Sequence, residues 1–399
     1  MKYDTHFLLD THTVKDYVKD VVGLFDRSAS LQAEEIGDGN INYVFRVWDE
    51  NKSVVVKQAD VLLRSSGRPL DVYRNTIEAR ALQMEEKLAP GYVPHVYYND
   101  SIMHALTMED ISKYKNLRKE LIACHTYDHF AHNISVFMAQ TLLPTTDLIC
   151  ERAEKKRNMQ IFTNIELCDI TEDLVLTEPY YNYKNRNVIL GENQKFVEEN
   201  LYHNAALKSN VACLRQRFTN YSQSLIHGDL HSGSIFINEQ GIKVIDPEFA
   251  FYGPMGYDIG NVIGNLFFAW ASAVYKKEDP FFQSWCRQTI EDVLKETMQQ
   301  LDTVYEQRVT FPLYKETEFK KQYFRQILSD SLGYAGTEII RRVVGDSKVA
   351  EITTMENRAQ RIAMERALIR MGIYLINERT TIRLAQEITK QFQKITGVS

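Results

Sequence analysis

The chain has 399 residues, 47 Lys and Arg against 53 Asp and Glu, and a net charge of −6. That balance gives no electrostatic footprint for nucleic acid or an anionic membrane surface, and the densest basic run, Lys155-Lys156-Arg157, reads as a solvated helix face. Apolar residues at 44% and charged residues at 25% fit a globular protein with a sizeable core, and the length allows roughly two to three domains.

Five cysteines (Cys124, Cys150, Cys168, Cys213 and Cys286) are widely spaced with no CxxC, so reduced thiols are expected and a zinc site is not. The N-terminal stretch MKYDTHFLLD has no apolar core of signal-peptide length. The most apolar window, near 261–274, contains Asn265 and is too short to span a bilayer, so it is expected as a buried helix. Together these imply a cytoplasmic protein with no membrane partner.

Residues 1–30 are expected to be helical, with Thr11 or Thr13 as cap and Val14, Tyr17, Val18, Val21 and Leu24 on one face. A turn with Gly37 and Gly39 then precedes an alternating strand, Tyr43–Val47, and a second strand, Ser53–Lys57. Glycines let backbone N–H groups approach phosphate closely. No GxxxxGK(S/T) occurs, which excludes a P-loop and leaves a Gly-rich loop ahead of a lysine strand as the nucleotide-binding pattern. Asn40 would sit at the loop tip, and Lys57 is placed to meet phosphate oxygens. The plain alternatives are a hairpin turn and a solvated strand lysine.

A loop at 64–70 leads to a helix, Val72–Leu88, with Glu78 in its first half. Val96–Tyr98 and Met103–Met108 are expected strands, and the strand-rich part ends at Glu109-Asp110-Ile111-Ser112. From Asn116 the pattern is mostly helical. His125, His129 and His132 have helical spacing but no HExxH and no cysteine partner, so they read as a surface or satisfied-core face. Tyr180-Tyr181-Asn182-Tyr183 could line or cover a cleft, and a helix is expected over 194–222.

The organising stretch is 227–258, HGDLHSGSIFINEQGIKVIDPEFAFYGPMGYD. Two apolar runs around a Gly-containing turn, Ser234–Asn238 and Ile242–Ile245, predict a β-hairpin. Such a hairpin is expected to bring Asp229 and Asp246 to one open end, with Glu248 nearby. Clustered carboxylates are costly without a cation. Magnesium takes one or two protein carboxylates plus substrate phosphates, and a second acid can receive a proton, which is the parts list of phosphoryl transfer. Helices follow from Asp258 through Trp270 and again from Pro280 onward. Arg341 and Arg342 sit among apolar residues, so each is expected to have a partner: a sugar oxygen, the arriving phosphate, Glu338 or Asp346.

HGDLH and IDPE resemble the catalytic and metal-binding loops of the aminoglycoside/choline kinase-like families, relatives of protein kinases. Within them the stretch resembles the methylthioribose kinases, whose loop looks like HGDLH(S/T)GS followed by DPEFAFYGPMGYD. The common pattern has Asn five residues after the base, where this chain has Ser234, which bears on the second metal ligand.

The resemblance implies an α+β, bilobal protein kinase-like fold. It has a β-rich N-lobe with an antiparallel sheet (1–109), a hinge (110–115) and a larger helical C-lobe (116–399). It implies an ATP-dependent phosphotransferase with an alcohol acceptor, the C1 hydroxyl of S-methyl-5-thioribose, in methionine salvage. ATP and Mg2+ would be its cofactors, and a homodimer is expected from the family. Asp229 would be the base. Asp246, with Glu248 and Ser234 as further candidates, would hold metal, and Pro247 lies in the same nucleotide loop. Glu78 would pair with Lys57. Met108, Glu109 and Ile111 would lie at the adenine, Arg341 or Arg342 would contact sugar or phosphate, and Asp258 would support the catalytic loop or cap its helix. The rival readings are a kinase of an aminoglycoside, choline or homoserine, and a nucleotide-binding pseudokinase.

Overall fold

The computed structural model describes residues 3–36, 42–62 and 69–398. The chain divides into two compact units, 1–114 with 243–250, and 115–242 with 251–399. The sequence division assigned 243–250 to the second part; the structure packs it with the first. The reason is local: the Val244 N–H donates to Tyr92 O at 2.7 Å, and Lys243 Nζ donates to Val93 O and Glu109 Oε2, each at 3.0 Å.

The first unit holds α1 (Thr13–Asp20), β1 (Gln32–Glu35), β2 (Tyr43–Trp48), β3 (Ser53–Gln58), α2 (Tyr73–Leu88), β4 (Val96–Asp100) and β5 (Ala105–Glu109). The strands form one antiparallel sheet in the order β1-β2-β3-β5-β4. Side chains alternate across a strand. Val54 and Val56 on β3 therefore join Val14, Tyr17 and Val18 of α1 in one core, while Lys57 faces the other way. Its strand is central, so Lys57 is buried.

Helix α1 is much shorter than expected. Asp10 Oδ1 accepts the Thr13 N–H at 2.7 Å and starts it; Gly23 at φ 68° lies beyond its end and turns the chain back, so that Phe25 and Leu31 reach the core. The strand expected from Met103 starts at Ala105. Asp100 Oδ1 accepts the N–H groups of Ile102 and Met103 at 2.9 and 3.0 Å, and His104 adopts a left-handed conformation, so those residues make the hairpin turn.

The second unit begins with β6 (Lys115–Asn116), α3 (Leu117–Ile122) and α4 (Phe130–Leu142). The helices α5 (Arg152–Ile161), α6 (Ile165–Leu174), α7 (Glu178–Tyr181), α8 (Gln194–Val197) and α9 (Ala205–Asn220) follow. Next come β7 (Ser224–Ile226), β8 (Ile235–Asn238), β9 (Gly241–Val244), whose last two residues belong to the first unit, and β10 (Phe251–Gly253). The chain closes with α10 (Gly256–Lys276), α11 (Pro280–Arg308), α12 (Thr317–Val344), α13 (Ala350–Thr353), α14 (Arg358–Glu378) and α15 (Ala385–Thr396). The sheet order β6-β8-β9 includes the expected hairpin, whose turn is closed by Asn238 Oδ1 accepting the Gln240 N–H at 2.8 Å. His125 precedes α4 and binds Glu120, while His129 and His132 bind Asn238 O and Glu296, so each has its own partner.

Helix α10 is buried from Gly256 to Ala273, as the apolar window predicts. Among the described residues no helix is long and apolar enough to cross a membrane. Helices α10 and α12 approach so closely that a Cβ on Gly260 would lie 2.6 Å from both Ala335 N and Ser331 O. Backbone cannot yield as a side-chain tip can. Gly260→Ala should therefore destabilise the protein by about 1–3 kcal/mol, read as a lower denaturant midpoint with an unchanged slope.

Candidate functional site

Two charged clusters, one in each unit, hold seven of the predicted site residues: Lys57, Glu78, Asp246 and Glu248 in the first, Asp229, Arg341 and Arg342 in the second. In the first unit Lys57 Nζ lies 2.8 Å from Glu78 Oε2 and 2.6 Å from Asp246 Oδ1. Glu78 reaches it from α2, one turn after Arg74, which is 3.8 Å from Glu248 and donates to Asn42 Oδ1 at 3.0 Å. Asn42 in turn donates to Glu248 at 3.3 Å. Burial works against the Lys57 charge, but Asp246, Glu78 and Glu248 outweigh it and hold the ammonium above the ordinary lysine range. Burial pushes the Glu78 carboxyl up, and Lys57 pulls it back. Lys57 and Arg74 thus lie among three acids, Glu78, Asp246 and Glu248.

Of these acids, Glu78 and Glu248 are buried, whereas the Asp246 side chain is 42% exposed. Asp246 sits in the left-handed region (φ 63°, ψ 44°), which Asp tolerates better than most residues, and Pro247 opens a short 3-10 turn after it.

In the second unit Asp229 Oδ1 lies 3.2 Å from Arg341 Nη2 and 3.8 Å from Arg342 Nη2, and Oδ2 lies 3.3 Å from His231 Nε2. Both arginines also pair with the fully buried Glu338, which leaves Asp346 without that role. Burial opposes the Asp229 charge. His231 and the two guanidiniums overcome it and hold the carboxyl well below the usual range. Glu338 is held down at about 2, against burial, by Arg341 and Arg342. Asp258 is the loop's backbone acceptor: it takes the N–H of His227 at 2.7 Å and of Gly228 at 3.0 Å, and it is itself buried.

The remaining predicted residues are placed as follows. Met108 is buried on β5 opposite Val55 and Val96, and Glu109 ends that strand with its carboxylate on Lys243. Ile111 accepts the Tyr114 N–H at 2.8 Å. Ser234 is buried, and its hydroxyl bonds Asp229 O at 3.1 Å, within its own loop. Asn40 lies outside the described residues. Tyr180, Tyr181 and Tyr183 line a pocket of about 370 Å³ with Asp173 and Lys208; Asp229 and the two arginines are not part of its lining.

Sequence reasoning passed over Arg74, Asp110, Arg118 and His231. Arg74 had a signal, since it stands four residues before Glu78 and so shares its helix face. Asp110 had none: it pins Arg46 Nε at 2.6 Å and Ser53 Oγ at 2.5 Å. Arg118 donates to Ser232 Oγ at 3.1 Å and Asn265 Oδ1 at 2.8 Å, partners remote in sequence.

Residues 167–297 match the phosphotransferase enzyme family. A methylthioribose kinase from Geobacillus sp. (strain WCH70) is 36% identical over 379 residues, 93% of this chain and 92% of that relative. The chain belongs to the methylthioribose kinase family. A second member, from Bacillus pumilus (strain SAFR-032), is 33% identical over 382 residues, 94% of each chain. This kinase shares its fold with a choline kinase from Cryptosporidium parvum Iowa II, at 15% identity and a TM-score of 0.50 over 92% of this chain and 99% of that one. The α+β protein kinase-like fold and the ATP-dependent phosphotransferase activity implied by the loop motifs are thus both met.

Two outcomes follow from the kinase's charge clusters. Lys57→Met leaves the buried Glu78 without its ammonium and should cost about 3–5 kcal/mol in equilibrium unfolding; a change below about 1 kcal/mol would show that the pair is solvated. A lowered pKa keeps Asp229 ionised at neutral and mildly acidic pH, so the acid limb of kcat attributable to it lies below the ordinary aspartate range. Arg341→Met should move that limb upward in a kcat–pH profile.

Proposed function

We propose that this kinase transfers the γ-phosphate of ATP to the C1 hydroxyl of S-methyl-5-thioribose, giving S-methyl-5-thioribose 1-phosphate for methionine salvage. The observation that carries the reading is the Asp229 carboxylate, held by two guanidiniums and an imidazole yet still 25% exposed. Asp229 orients the acceptor hydroxyl and takes its proton. A carboxylate held so far down is a modest base, and an anomeric hydroxyl, more acidic than an ordinary alcohol, suits it. Arg341 or Arg342 steadies the sugar or the charge on the transferred group. The same pair argues against a cationic acceptor such as choline or an aminoglycoside.

In the first unit Lys57, positioned by Glu78, neutralises phosphate charge. Asp246 fits magnesium: it is the most exposed carboxylate beside Lys57, and Glu248 is the second candidate, already steadied by Asn42 and Arg74. Among the described residues no three His, Cys, Asp or Glu side chains gather as an ion site by themselves, in keeping with an ion that shares its shell with substrate phosphates. When bound, magnesium would supply charge neutralisation on the β- and γ-phosphates. Ser234 spends its hydroxyl inside its loop and stands last among the metal candidates. Met108, Glu109 and Ile111 are read as the adenine side, through backbone groups. The family resemblance adds a cytoplasmic homodimer to the proposal.

The test is a coupled ADP-release assay over an acceptor panel of methylthioribose, choline, homoserine and an aminoglycoside. Methylthioribose alone should give rapid turnover. Asp229→Asn should lower kcat by at least about 10²–10⁴-fold with ATP binding retained. Near-normal kcat in that variant would remove Asp229 from the base role.

A further inference from the structure

We propose that His231 is a positioning residue that aims the Asp229 carboxylate, acting as a neutral imidazole locked in its Nε2–H form by the loop that follows it. The tautomer is set by which atoms face the ring. Nδ1 lies 3.0 Å from the Gly233 N–H and 3.1 Å from the Ser234 N–H. Backbone amides only donate, so Nδ1 must present its lone pair. The ring proton is then on Nε2, which faces Asp229 Oδ2 at 3.3 Å. Arg341 donates to the other oxygen, Oδ1, at 3.2 Å. The carboxylate is therefore held at both ends, which fixes its plane as well as its place.

The ring has little freedom to leave this pose. A Cβ on Gly233 would fall 2.8 Å from His231 Cε1 and 3.1 Å from Nδ1, so residue 233 packs flat against the imidazole only because it is glycine. Ser234 closes the loop from the other side, with Oγ 3.1 Å from Asp229 O and 3.2 Å from His231 Nδ1. A serine hydroxyl is short enough to bond inside this loop, which gives the departure from Asn at 234 a local function.

The inference rests on Asp229 as base, and variants separate the two ideas. Asn at 231 can place its side-chain oxygen where Nδ1 was and keep the loop amides satisfied, but its amide NH2 then stops short of the place of Nε2. Gln can place an amide N–H where Nε2 was. His231→Asn should lower kcat on the order of 10–100-fold with the KM for ATP unchanged, and His231→Gln should recover most of it. Gly233→Ala, which removes no polar group, should lower kcat by displacing the ring, and should add little on top of His231→Asn. Equal kcat losses in the Asn and Gln enzymes would mean a merely structural histidine and overturn the inference. So would wild-type kcat in His231→Asn beside a dead Asp229→Asn enzyme. Turnover surviving in Asp229→Asn would instead defeat the base assignment. If His231→Asn does not fold, Gly233→Ala decides, and unchanged kcat there rejects the proposal.

Discussion

A charge taken out of water must be met by an opposite charge, and each unit of this protein is arranged around that requirement. Lys57 stands buried on the central strand of a sheet, and Glu78 and Asp246 are brought to it from a helix and from a segment distant in sequence. Glu338 is enclosed entirely, and two successive guanidiniums close on it. In both clusters buried acids hold the cations in place, and one acid keeps a more exposed side: Asp246 in one, Asp229 in the other.

This division explains why the Asp229 carboxyl is held so far below its ordinary range. The groups that orient Asp229 are cationic or hydrogen-bond donors, and each lowers its proton affinity. Orientation is obtained at the expense of basicity. That exchange is sensible when the acceptor hydroxyl loses its proton late and positioning carries most of the rate. Asp258 fixes the backbone of 227–228 from the first turn of α10, a helix buried from Gly256 to Ala273.

Much of this was legible in the residues. An apolar strand ending in lysine, an acid in the following helix and two acids flanking a hairpin specify their chemistry through local pattern, and Asp258 stands at a helix start where a carboxylate naturally accepts backbone N–H groups. What escaped depends on contacts that no local pattern encodes. Arg118 meets Asn265 and Ser232, and Arg217 meets Asp330, across more than a hundred residues. The length of α1 was misjudged because Gly23 and the core demand for Phe25 override an otherwise helical periodicity. The tyrosines near 180 gave an aromatic signal without direction, and they line a pocket of their own.

The membership of 243–250 in the first unit has a consequence for how the protein is made. When residues 1–114 have left the ribosome, the sheet can assemble, but Lys57 has only Glu78 of its three carboxylates. Asp246 and Glu248 arrive on the order of ten seconds later, at ordinary rates of synthesis. Until then the Lys57 ammonium lacks two of its three acids, so the last folding step of its unit waits for translation of the other unit's chain.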